Sequence, residues 1–267
     1  MNQLTIDFDK LKDIALRGIR RTYIFLALGV NAARDERLKN YHLTNFSMFR
    51  FVPDNVDTQT LRGFKSAFEQ WIISNGLREL VESFASFMDG VYRICLVIGT
   101  NNGKVSSNNV DTDRKQFEKK GIEAKMKLLR NKFSISTEKE KYFGSINQAR
   151  NCITHRQGKV GPEDTKGQDT FRFIWLGLDC YAETPKGQRH SLIPPFPKEG
   201  VFLEEGANVK VQVIERETEY RIGEVIALSP NDLGEICLLF NLATNDIAKS
   251  ALEYARKMGV KIRIKKQ

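Results

Sequence analysis

Residues 136–158 read STEKEKYFGSINQARNCITHRQG, and this stretch decides the fold. Apolar residues recur within it at steps of three and four, the spacing of a buried helical stripe: Tyr142, Ile146, Ala149 and Ile153. Thr137 and Glu140 have the spacing of a capping box at its start. Gly158 stands where a left-handed residue often ends a helix. The stretch therefore predicts one helix with both ends marked and one face in the core.

Polar side chains crowd the last two turns of this predicted helix: Arg150, Asn151, Thr154, His155 and Arg156. Five residues at 100° each place Arg150 and His155 about 140° apart on an ideal helix. Asn151 and His155, four residues apart, share a face. One straight helix therefore does not present Arg150 and His155 side by side. A second copy of the helix around a two-fold axis would bring them together, and so would a distorted last turn.

The cluster Arg150-Asn151-x-x-x-His155 resembles the signature of HEPN domains, in which four to six residues, the first of them polar, separate an arginine from a histidine. The resemblance is specific over about one helix, is diffuse over the helices before it, and is absent over residues 165–229. HEPN domains are all-α bundles, and many are metal-independent endoribonucleases of toxin–antitoxin and phage-defence systems. The resemblance therefore implies a prokaryotic defence or toxin-type ribonuclease that acts on RNA as a homodimer. It implies no metal and no cofactor, and it allows an antitoxin or a nucleotidyltransferase-type protein as a further partner.

The chemistry of RNA cleavage suits these side chains. RNA carries its own nucleophile, the 2′-OH, so cleavage needs a group that moves a proton and a cation that stabilises the pentavalent phosphorane. Histidine suits proton transfer near neutral pH, and the guanidinium of arginine offers paired, permanently charged donors. An asparagine can orient either group by hydrogen bonds. The predicted catalytic residues are Arg150, Asn151 and His155, and the resemblance implies 2′,3′-cyclic phosphate products.

The charge of the chain favours an anionic partner, most simply nucleic acid, because the formal net charge is +9. Residues 114–132 hold eight Lys or Arg against two Glu, within a helix predicted over residues 111–133. Basic side chains on one face bind phosphates without sequence preference, and a solvated face is the alternative. The predicted nucleic-acid-binding residues are Arg114, Lys115, Lys119, Lys120, Lys125, Arg156 and Lys159.

Periodicity elsewhere predicts further helices. A first helix is expected after Asp9, with Gly18 as a weak point. Residues 58–98 are expected to form two helices broken at the turn dipeptide Asn75-Gly76. Large apolar residues of this stretch are expected to face the core: Phe64, Phe68, Trp71, Ile72, Leu80, Phe84, Phe87, Val91, Ile94 and Ile98. Ser229 and Pro230 predict the start of a long last helix that ends at Gly259.

A change to alternating periodicity after Gly161 predicts a small antiparallel sheet of three to five strands. The expected strands cover residues 171–181, 201–203, 209–213 and 220–228. The fold is therefore predicted to be mainly α, an HEPN-like helical bundle with a small antiparallel β insertion, α+β overall. Residues 1–160 form the first part of the bundle and carry the motif, and 161–228 form the β-rich insertion. Residues 229–267 form a long helix that packs on the bundle, with a basic tail.

The location of the protein is predicted from what the chain begins with and how apolar it is. The first residues have no secretory apolar region, and the longest apolar run, residues 23–30, is too short to span a bilayer. A cytoplasmic protein with no membrane partner is expected. Four widely separated cysteines without Cys-x-x-Cys spacing indicate buried free thiols rather than zinc.

Two other interpretations of the motif stay open on the sequence. Arg150 can be an ion-paired residue at the edge of the apolar stripe, and His155 can be a cation favoured at a helix C-terminus. The chain is then a non-catalytic HEPN-like module that binds RNA, a nucleotide or a protein partner, or a purely structural oligomerisation domain.

Overall fold

The computed structural model of the chain describes residues 6–42, 51–103, 110–193, 200 and 206–260, which form seven helices and three strands. In chain order these elements are α1 (Phe8–Arg34), α2 (Thr58–Asn101), α3 (Val110–Glu118), α4 (Ile122–Phe133), α5 (Glu140–Arg156), α6 (Pro162–Thr165), β1 (Thr170–Glu183), β2 (Arg189–Ser191), β3 (Asn208–Arg221) and α7 (Pro230–Lys257). The predicted fold class is confirmed, because the described chain is mainly α with one small antiparallel sheet. No helix among the described residues is long and apolar enough to cross a membrane.

Helices α1 and α2 form an antiparallel hairpin along which the other elements assemble. Small residues let the two helices approach closely. A Cβ added at Gly18 would clash with the side chain of Ser83, and one added at Gly29 would lie 2.8 Å from Ile72 Cγ1. Gly18, predicted to be a weak point of α1, is therefore the position at which the side chain of Ser83 on α2 packs against the α1 backbone. The N-cap of α1 is Asp7 rather than Asp9, since the carboxylate of Asp7 accepts the first free backbone N–H groups.

The predicted break at Asn75-Gly76 is wrong, because α2 runs through it as one helix. The side-chain amide of Asn75 donates to the backbone carbonyl of Trp71 at 2.8 Å, within the helix. A Cβ added at Gly76 would lie 2.6 Å from Leu233 Cδ2 on α7. Gly76 therefore makes room for a neighbouring helix, and this packing holds a helical conformation through a dipeptide that favours a turn in isolation.

Helix α7 packs against α1, α2 and β1. It begins as predicted, with a reciprocal capping box between Ser229 and Asp232 at 2.8 and 3.1 Å. The ring of Phe240 on α7 lies edge-on to Phe84 on α2 and to Phe143 on α5, at 5.2 and 5.1 Å between centroids. Phe84 and Phe143 stack on each other at 4.8 Å. The three helices therefore meet at one buried aromatic cluster.

The sheet has the order β2-β1-β3, and β1 pairs with β3 along its whole length. The two strands predicted over residues 209–213 and 220–228 are wrong in their bounds. One strand, β3, spans Asn208–Arg221, and Val225 beyond it forms an isolated bridge with Lys159. Val209, Val211 and Val213, at the start of β3, are exposed. The predicted strand at residues 201–203 and residues 261–267 of the predicted basic tail lie outside the described residues.

A buried carboxylate joins the sheet to α7. Glu235 is 8% exposed and accepts hydrogen bonds from Trp175 Nε1 at 2.9 Å and from the backbone N–H of Leu178 at 3.2 Å. Arg216 donates to the same carboxylate at 3.1 Å. A Cβ added at Gly177 would lie 2.5 Å from Glu235 Oε2, so glycine gives the carboxylate its space. A buried charge needs such partners, since leaving it unpaired is costly.

Candidate functional site

The predicted motif lies in the last turns of α5, whose apolar stripe faces the core. Tyr142, Ile146 and Ala149 are buried, as predicted. Helix α5 ends just before Gly158, as predicted. Gln157 and Gly158 both adopt left-handed backbone conformations, with φ of 54° and 81°, and their N–H groups are close to the carbonyl of Cys152. This C-terminal motif sets the direction of the last turn and of the side chains on it.

The start of α5 differs from the predicted capping box, which is wrong. Lys139 occupies the N-cap position and makes no side-chain capping bond. Thr137 Oγ1 instead donates to Asp246 Oδ2 on α7 at 2.7 Å, and Lys139 Nζ lies 2.9 Å from the same oxygen. Burial opposes the ionised form, but these two donors hold the pKa of the Asp246 carboxyl below its ordinary value. The predicted capping residue Thr137 therefore joins the start of α5 to α7 and does not cap α5.

An open cleft of about 390 Å³ runs along the exposed side of α5. Three helices and the residues that follow them line the cleft: Glu123, Gly144, Asn147, Gln148, Asn151, His155, Arg156, Glu163, Asp164 and Lys166. Within the described part of the chain, the side chains of Asn151 and His155 form no hydrogen bond or ion pair. Asn151 and His155 therefore share one open cleft, as their four-residue spacing predicts, and both are available to a ligand.

Arg150 lies beside the cleft rather than in its lining. Its guanidinium donates from Nη2 to Asn147 Oδ1 at 2.9 Å. Arg150 Nε is buried and has no hydrogen-bond partner among the described residues. Asn147 lines the cleft together with His155, so one hydrogen bond joins Arg150 to the cleft wall. The structure thus keeps the separation expected from an ideal helix, and the last turn is not distorted to remove it.

Arg156, predicted to bind nucleic acid, is engaged in the wall of the cleft. Its guanidinium pairs with Asp164, and its Nε lies 2.9 Å from Glu163 Oε1. The buried Asp164 carboxylate also accepts from the backbone N–H of Gly161 at 2.9 Å. The short helix α6, which follows Gly161, is therefore held against α5. The charge of Arg156 is therefore offset by two carboxylates of the same chain.

The basic stretch before α5 forms two helices instead of the single one predicted. The chain turns between α3 and α4, where the N–H of Lys120 donates to the carbonyl of Phe117 at 3.0 Å. Phe117 stacks on Tyr92 at 3.9 Å between centroids, and Ile122 is buried at the start of α4. The turn lets both apolar side chains reach the core, which one straight helix would place on diverging faces.

Lys125 is the basic residue whose position departs most from the prediction. It is 2% exposed, and its Nζ donates to Asp89 Oδ1 at 2.6 Å and lies 5.5 Å from the centre of the Phe117 ring. Burial raises the pKa of the Asp89 carboxyl despite this pairing. A lysine in this position holds α4 to α2 and cannot reach a phosphate, so Lys125 is removed from the predicted interface.

The remaining predicted lysines are exposed, and two of them stand next to the cleft. A Cβ added at Gly121 would lie 4.0 Å from Asn147 Nδ2, so the turn that carries Lys119 and Lys120 borders the cleft wall. Lys115 is exposed on α3, and Lys159 is exposed just after α5. Arg114 lies 3.5 Å from Glu118 and 3.8 Å from Asp111, which offset its charge.

Cys152 lies between Asn151 and Ile153 in the motif, but it is buried on the core side of α5. Burial raises the pKa of its thiol to about 11, and the nearby Asp164 carboxylate adds to the effect. The thiol is therefore protonated at neutral pH and is not a nucleophile. The described residues contain no group of three or more His, Cys, Asp or Glu side chains that could hold a metal ion.

Several residues of the cleft were not predicted. Asn147 and Gln148 precede Asn151 by four and three residues, so helical spacing alone could have placed them on the same face. Glu123 approaches the cleft because α4 crosses α5 at Gly144, where an added Cβ would lie 2.7 Å from Glu123 Oε1. Asp164 is brought in by α6. No sequence pattern indicates these last two positions, since they depend on how separate helices pack.

Comparison with known proteins adds no family to this description. No protein-family model, curated protein or solved structure matches the chain. The functional conclusion therefore rests on the cleft of α5, on the charges around it and on the resemblance of its motif.

Proposed function

We propose that the protein is a metal-independent endoribonuclease of HEPN type that acts in phage defence or in a toxin–antitoxin-like system. One observation carries the proposal. Asn151 and His155 lie in an open cleft without a hydrogen bond to any other described residue, and Asn147 holds the guanidinium of Arg150 at the edge of the same cleft. These are the side-chain types that cleavage by the 2′-OH of RNA requires, and they occur together at one end of α5.

Each of the three residues has a separate role in this reaction. His155 accepts the proton of the 2′-OH or returns one to the leaving oxygen. Arg150 stabilises the negative charge that develops on the phosphorane, for which its planar guanidinium provides two parallel donors. Asn151 orients the phosphate or the imidazole by hydrogen bonding. Asn147 contributes by holding Arg150, at 2.9 Å between Nη2 and Oδ1.

The exposed lysines at the turn between α3 and α4 support RNA as the substrate. Lys119 and Lys120 border the cleft through Gly121, and Lys159 is exposed after the end of α5. Such side chains attract a phosphate backbone without selecting its sequence. They would guide a strand toward His155 and partly offset the carboxylates of Glu123 and Glu163 in the cleft lining.

The active enzyme is proposed to be a two-fold dimer in which the α5 helices approach each other. Arg150 and His155 point about 140° apart on one helix, so a single chain does not direct both at one phosphate. A second α5 around a two-fold axis can supply the missing Arg150 to the cleft that holds His155. Such isologous pairing is the commonest arrangement of two identical chains.

The proposal is tested by incubating the purified full chain with single-stranded RNA in EDTA. Cleavage is expected, with 2′,3′-cyclic phosphate ends on the products. Replacing the substrate by one with 2′-deoxyribose at every position should abolish cleavage, because the nucleophile is then missing. Intact RNA after prolonged incubation, or equal cleavage of the deoxyribose strand, would count against the proposal.

A second function is favoured by the acidic groups of the cleft. Glu123, Glu163 and Asp164 line it, and two of them engage Arg156. Such a cleft suits a non-catalytic module that binds RNA, a nucleotide or a protein partner, with the carboxylates contacting a nucleobase or a basic protein segment. Tight RNA or nucleotide binding without cleavage in the same assay would select this second function.

A further inference from the structure

The outer side of the α1–α2 hairpin carries large apolar side chains that no other part of the described chain covers. Phe25 and Leu28 on α1 are 57% and 64% exposed, and Trp71 on α2 is 61% exposed. Ile24 and Phe68 are also exposed, and the rings of Phe68 and Trp71 stack at 6.5 Å between centroids. These five residues are called the hairpin face.

The residues of the hairpin face lie on one side of the two helices. Leu26 and Val30 of α1, and Ile73 and Leu77 of α2, face the core. Gly29 meets Ile72 between the helices. The helical spacing from these positions turns Phe25 and Leu28, as well as Phe68 and Trp71, away from the core. A cavity of about 420 Å³ at one end of this side is lined by Ala32 of α1, by Phe64 and Phe68 of α2, and by residues of the segment between the helices, among them Leu38, Tyr41 and Val52. Phe64 contacts that segment through Tyr41, whereas Phe68 and Trp71 are exposed.

The spacing along the hairpin face is that of a helix-packing seam. Phe25, Leu28 and Ala32 follow one another at steps of three and four on α1. Phe64, Phe68 and Trp71 follow at steps of four and three on α2. Two antiparallel helices that each present such a stripe form half of a four-helix bundle, and another helical hairpin with the same stripes completes it. A second copy of this chain carries such a hairpin.

The size of the hairpin face is sufficient for association. Five aromatic and aliphatic side chains at about half exposure leave on the order of 500 Å² of apolar surface. That is about the largest patch found on a typical monomer. A polar rim around it would bring the contact toward the roughly 800 Å² per partner of a stable interface. The exposed aromatic rings supply the large anchors that dominate such contacts.

The charges beside the hairpin face favour a second copy over an anionic membrane. Arginines near it have acidic partners within the same chain: Arg17 and Arg20 with Asp13, Arg21 with Glu79, and Arg78 with Glu82. Membrane attachment of an amphipathic surface relies on unpaired cations that meet anionic lipids. A balanced rim lets two identical surfaces meet without the repulsion expected of chains with a +9 charge.

We propose that the hairpin face is a self-association surface on which a second copy docks to close a four-helix bundle. This surface differs from the α5 pairing proposed above. Phe84 of α2 stacks on Phe143 of α5 on the core side, away from Trp71. A chain with both contacts has two isologous surfaces and assembles beyond a dimer, whereas a chain with the hairpin contact alone forms a dimer.

The inference is tested by the solution mass of the full chain at about 10 µM, a concentration at which a contact of this size is expected to be populated. Trp71→Glu should halve the mass measured by sedimentation equilibrium or light scattering, because a charge at the centre of an apolar seam opposes docking. Val211→Glu is the matched control, since Val211 is 64% exposed on β3. It should leave the mass unchanged.

The solution mass of Trp71→Glu, compared with that of wild type, distinguishes the hairpin contact from the α5 pairing. If wild type is four chains and Trp71→Glu two, both contacts exist; if the masses are two chains and one, only the hairpin contact does. An unchanged mass in Trp71→Glu, or a monomeric wild type, overturns the inference. Circular dichroism monitors folding, and Leu28→Gln gives a milder second variant with the same expected direction.

A vesicle flotation assay tests whether a membrane, rather than a second copy of the chain, covers the hairpin face. Wild type should not float with vesicles of equal phosphatidylglycerol and phosphatidylcholine. Flotation that Trp71→Glu abolishes, together with an unchanged solution mass, would replace self-association by membrane attachment and overturn the inference.

Discussion

The cleft of α5 and the hairpin face are both open to solvent, yet their chemistry is opposite. The cleft presents an imidazole, amides and carboxylates. Some of these side chains are hydrogen-bonded within the chain: Asn147 accepts from Arg150, and Asp164 accepts from the backbone N–H of Gly161. The hairpin face presents aromatic and aliphatic side chains stacked on one another. Polar groups that are open to solvent can bind and act on a ligand, whereas an apolar surface gains free energy only when something covers it. We therefore propose catalysis for the cleft and assembly for the hairpin face.

The largest effect is expected from removing the catalytic side chains. His155→Ala removes proton transfer and Arg150→Ala removes phosphorane stabilisation, so each should lower the cleavage rate by about 10²-fold or more. The measurement is the initial rate of cleavage of a labelled single-stranded RNA in EDTA.

Thr154→Ala is the matched control, because Thr154 is an exposed polar neighbour on α5 that does not line the cleft. It should cleave at nearly the wild-type rate. Unfolding temperatures of the His155→Ala and Thr154→Ala variants should stay close to wild type, since both side chains are exposed. Arg150→Ala removes a half-buried side chain, so its folding is checked by circular dichroism. A double mutant with full activity would contradict the assignment of the cleft to catalysis.

The next effect concerns how the cleft is completed. Mixing Arg150→Ala with His155→Ala should restore part of the activity if α5 helices pair, because a mixed dimer then has one intact centre. The measurement is the cleavage rate of the mixture after subunit exchange, compared with each variant alone. No recovery despite exchange would mean that each chain supplies both residues, and would leave the hairpin face as the sole proposed contact between copies.

A smaller effect is expected from the lysines beside the cleft. Lys119→Glu with Lys120→Glu should weaken RNA binding for all sequences and reduce the slope of log affinity against log salt by about 0.7 for each lost contact to a single strand. Binding is measured by fluorescence anisotropy with the inactive His155→Ala chain across a salt titration.

Lys257→Glu supplies the control for the lysine variants, since Lys257 is exposed at the end of α7. It should change the salt slope little. An equal loss of affinity in this variant would show that net charge, and not the position of the lysines, governs binding.

The smallest effect is expected at the contact between α7 and the start of α5. The pKa of the Asp246 carboxyl lies below its ordinary value because Lys139 and Thr137 outweigh the effect of burial. Its ionised form therefore stabilises the fold at neutral pH, and this contribution is lost as pH falls through the folded pKa. Asp246→Asn should lower the free energy of unfolding at pH 7 by no more than about 1 kcal/mol, because the pair is partly exposed.

Urea unfolding at pH 7 and near pH 3, where carboxyl groups of ordinary pKa become protonated, measures this difference. The gap between Asp246→Asn and wild type should narrow near pH 3 and close only as pH falls below the folded pKa of Asp246, which is lower than the ordinary value. Because the described partners of the Asp246 carboxylate are Thr137 and Lys139, which do not belong to the hairpin face, the solution mass should not change. A gap that persists in acid would assign the effect to packing rather than to charge.

Several features were predictable from local sequence. The apolar stripe of α5, the left-handed end at Gly158 and the capping box of Ser229 with Asp232 depend on residues within a few positions of one another. The shared face of Asn151 and His155 follows from helical geometry alone. The change to alternating apolar and polar residues after Gly161 likewise predicted an antiparallel sheet, although not the bounds of its strands.

Other features depend on contacts between segments distant in sequence. The buried pair of Lys125 with Asp89, the continuity of α2 through Gly76, and the pairing of Arg156 with Asp164 required the packed structure. A basic side chain has the same local pattern whether it meets solvent or a buried acid, so composition alone placed Lys125 and Arg156 in a binding surface.

The hairpin face shows the same division. Helical spacing correctly placed Phe68 and Trp71 on one stripe, but the expectation that they face the core is wrong. The sequence by itself determined which residues share a face, because that depends on the 3.6-residue repeat. Only the tertiary structure decided which faces are covered, because coverage depends on where the other helices and the sheet end, and α7 and β1 leave this side of α2 open.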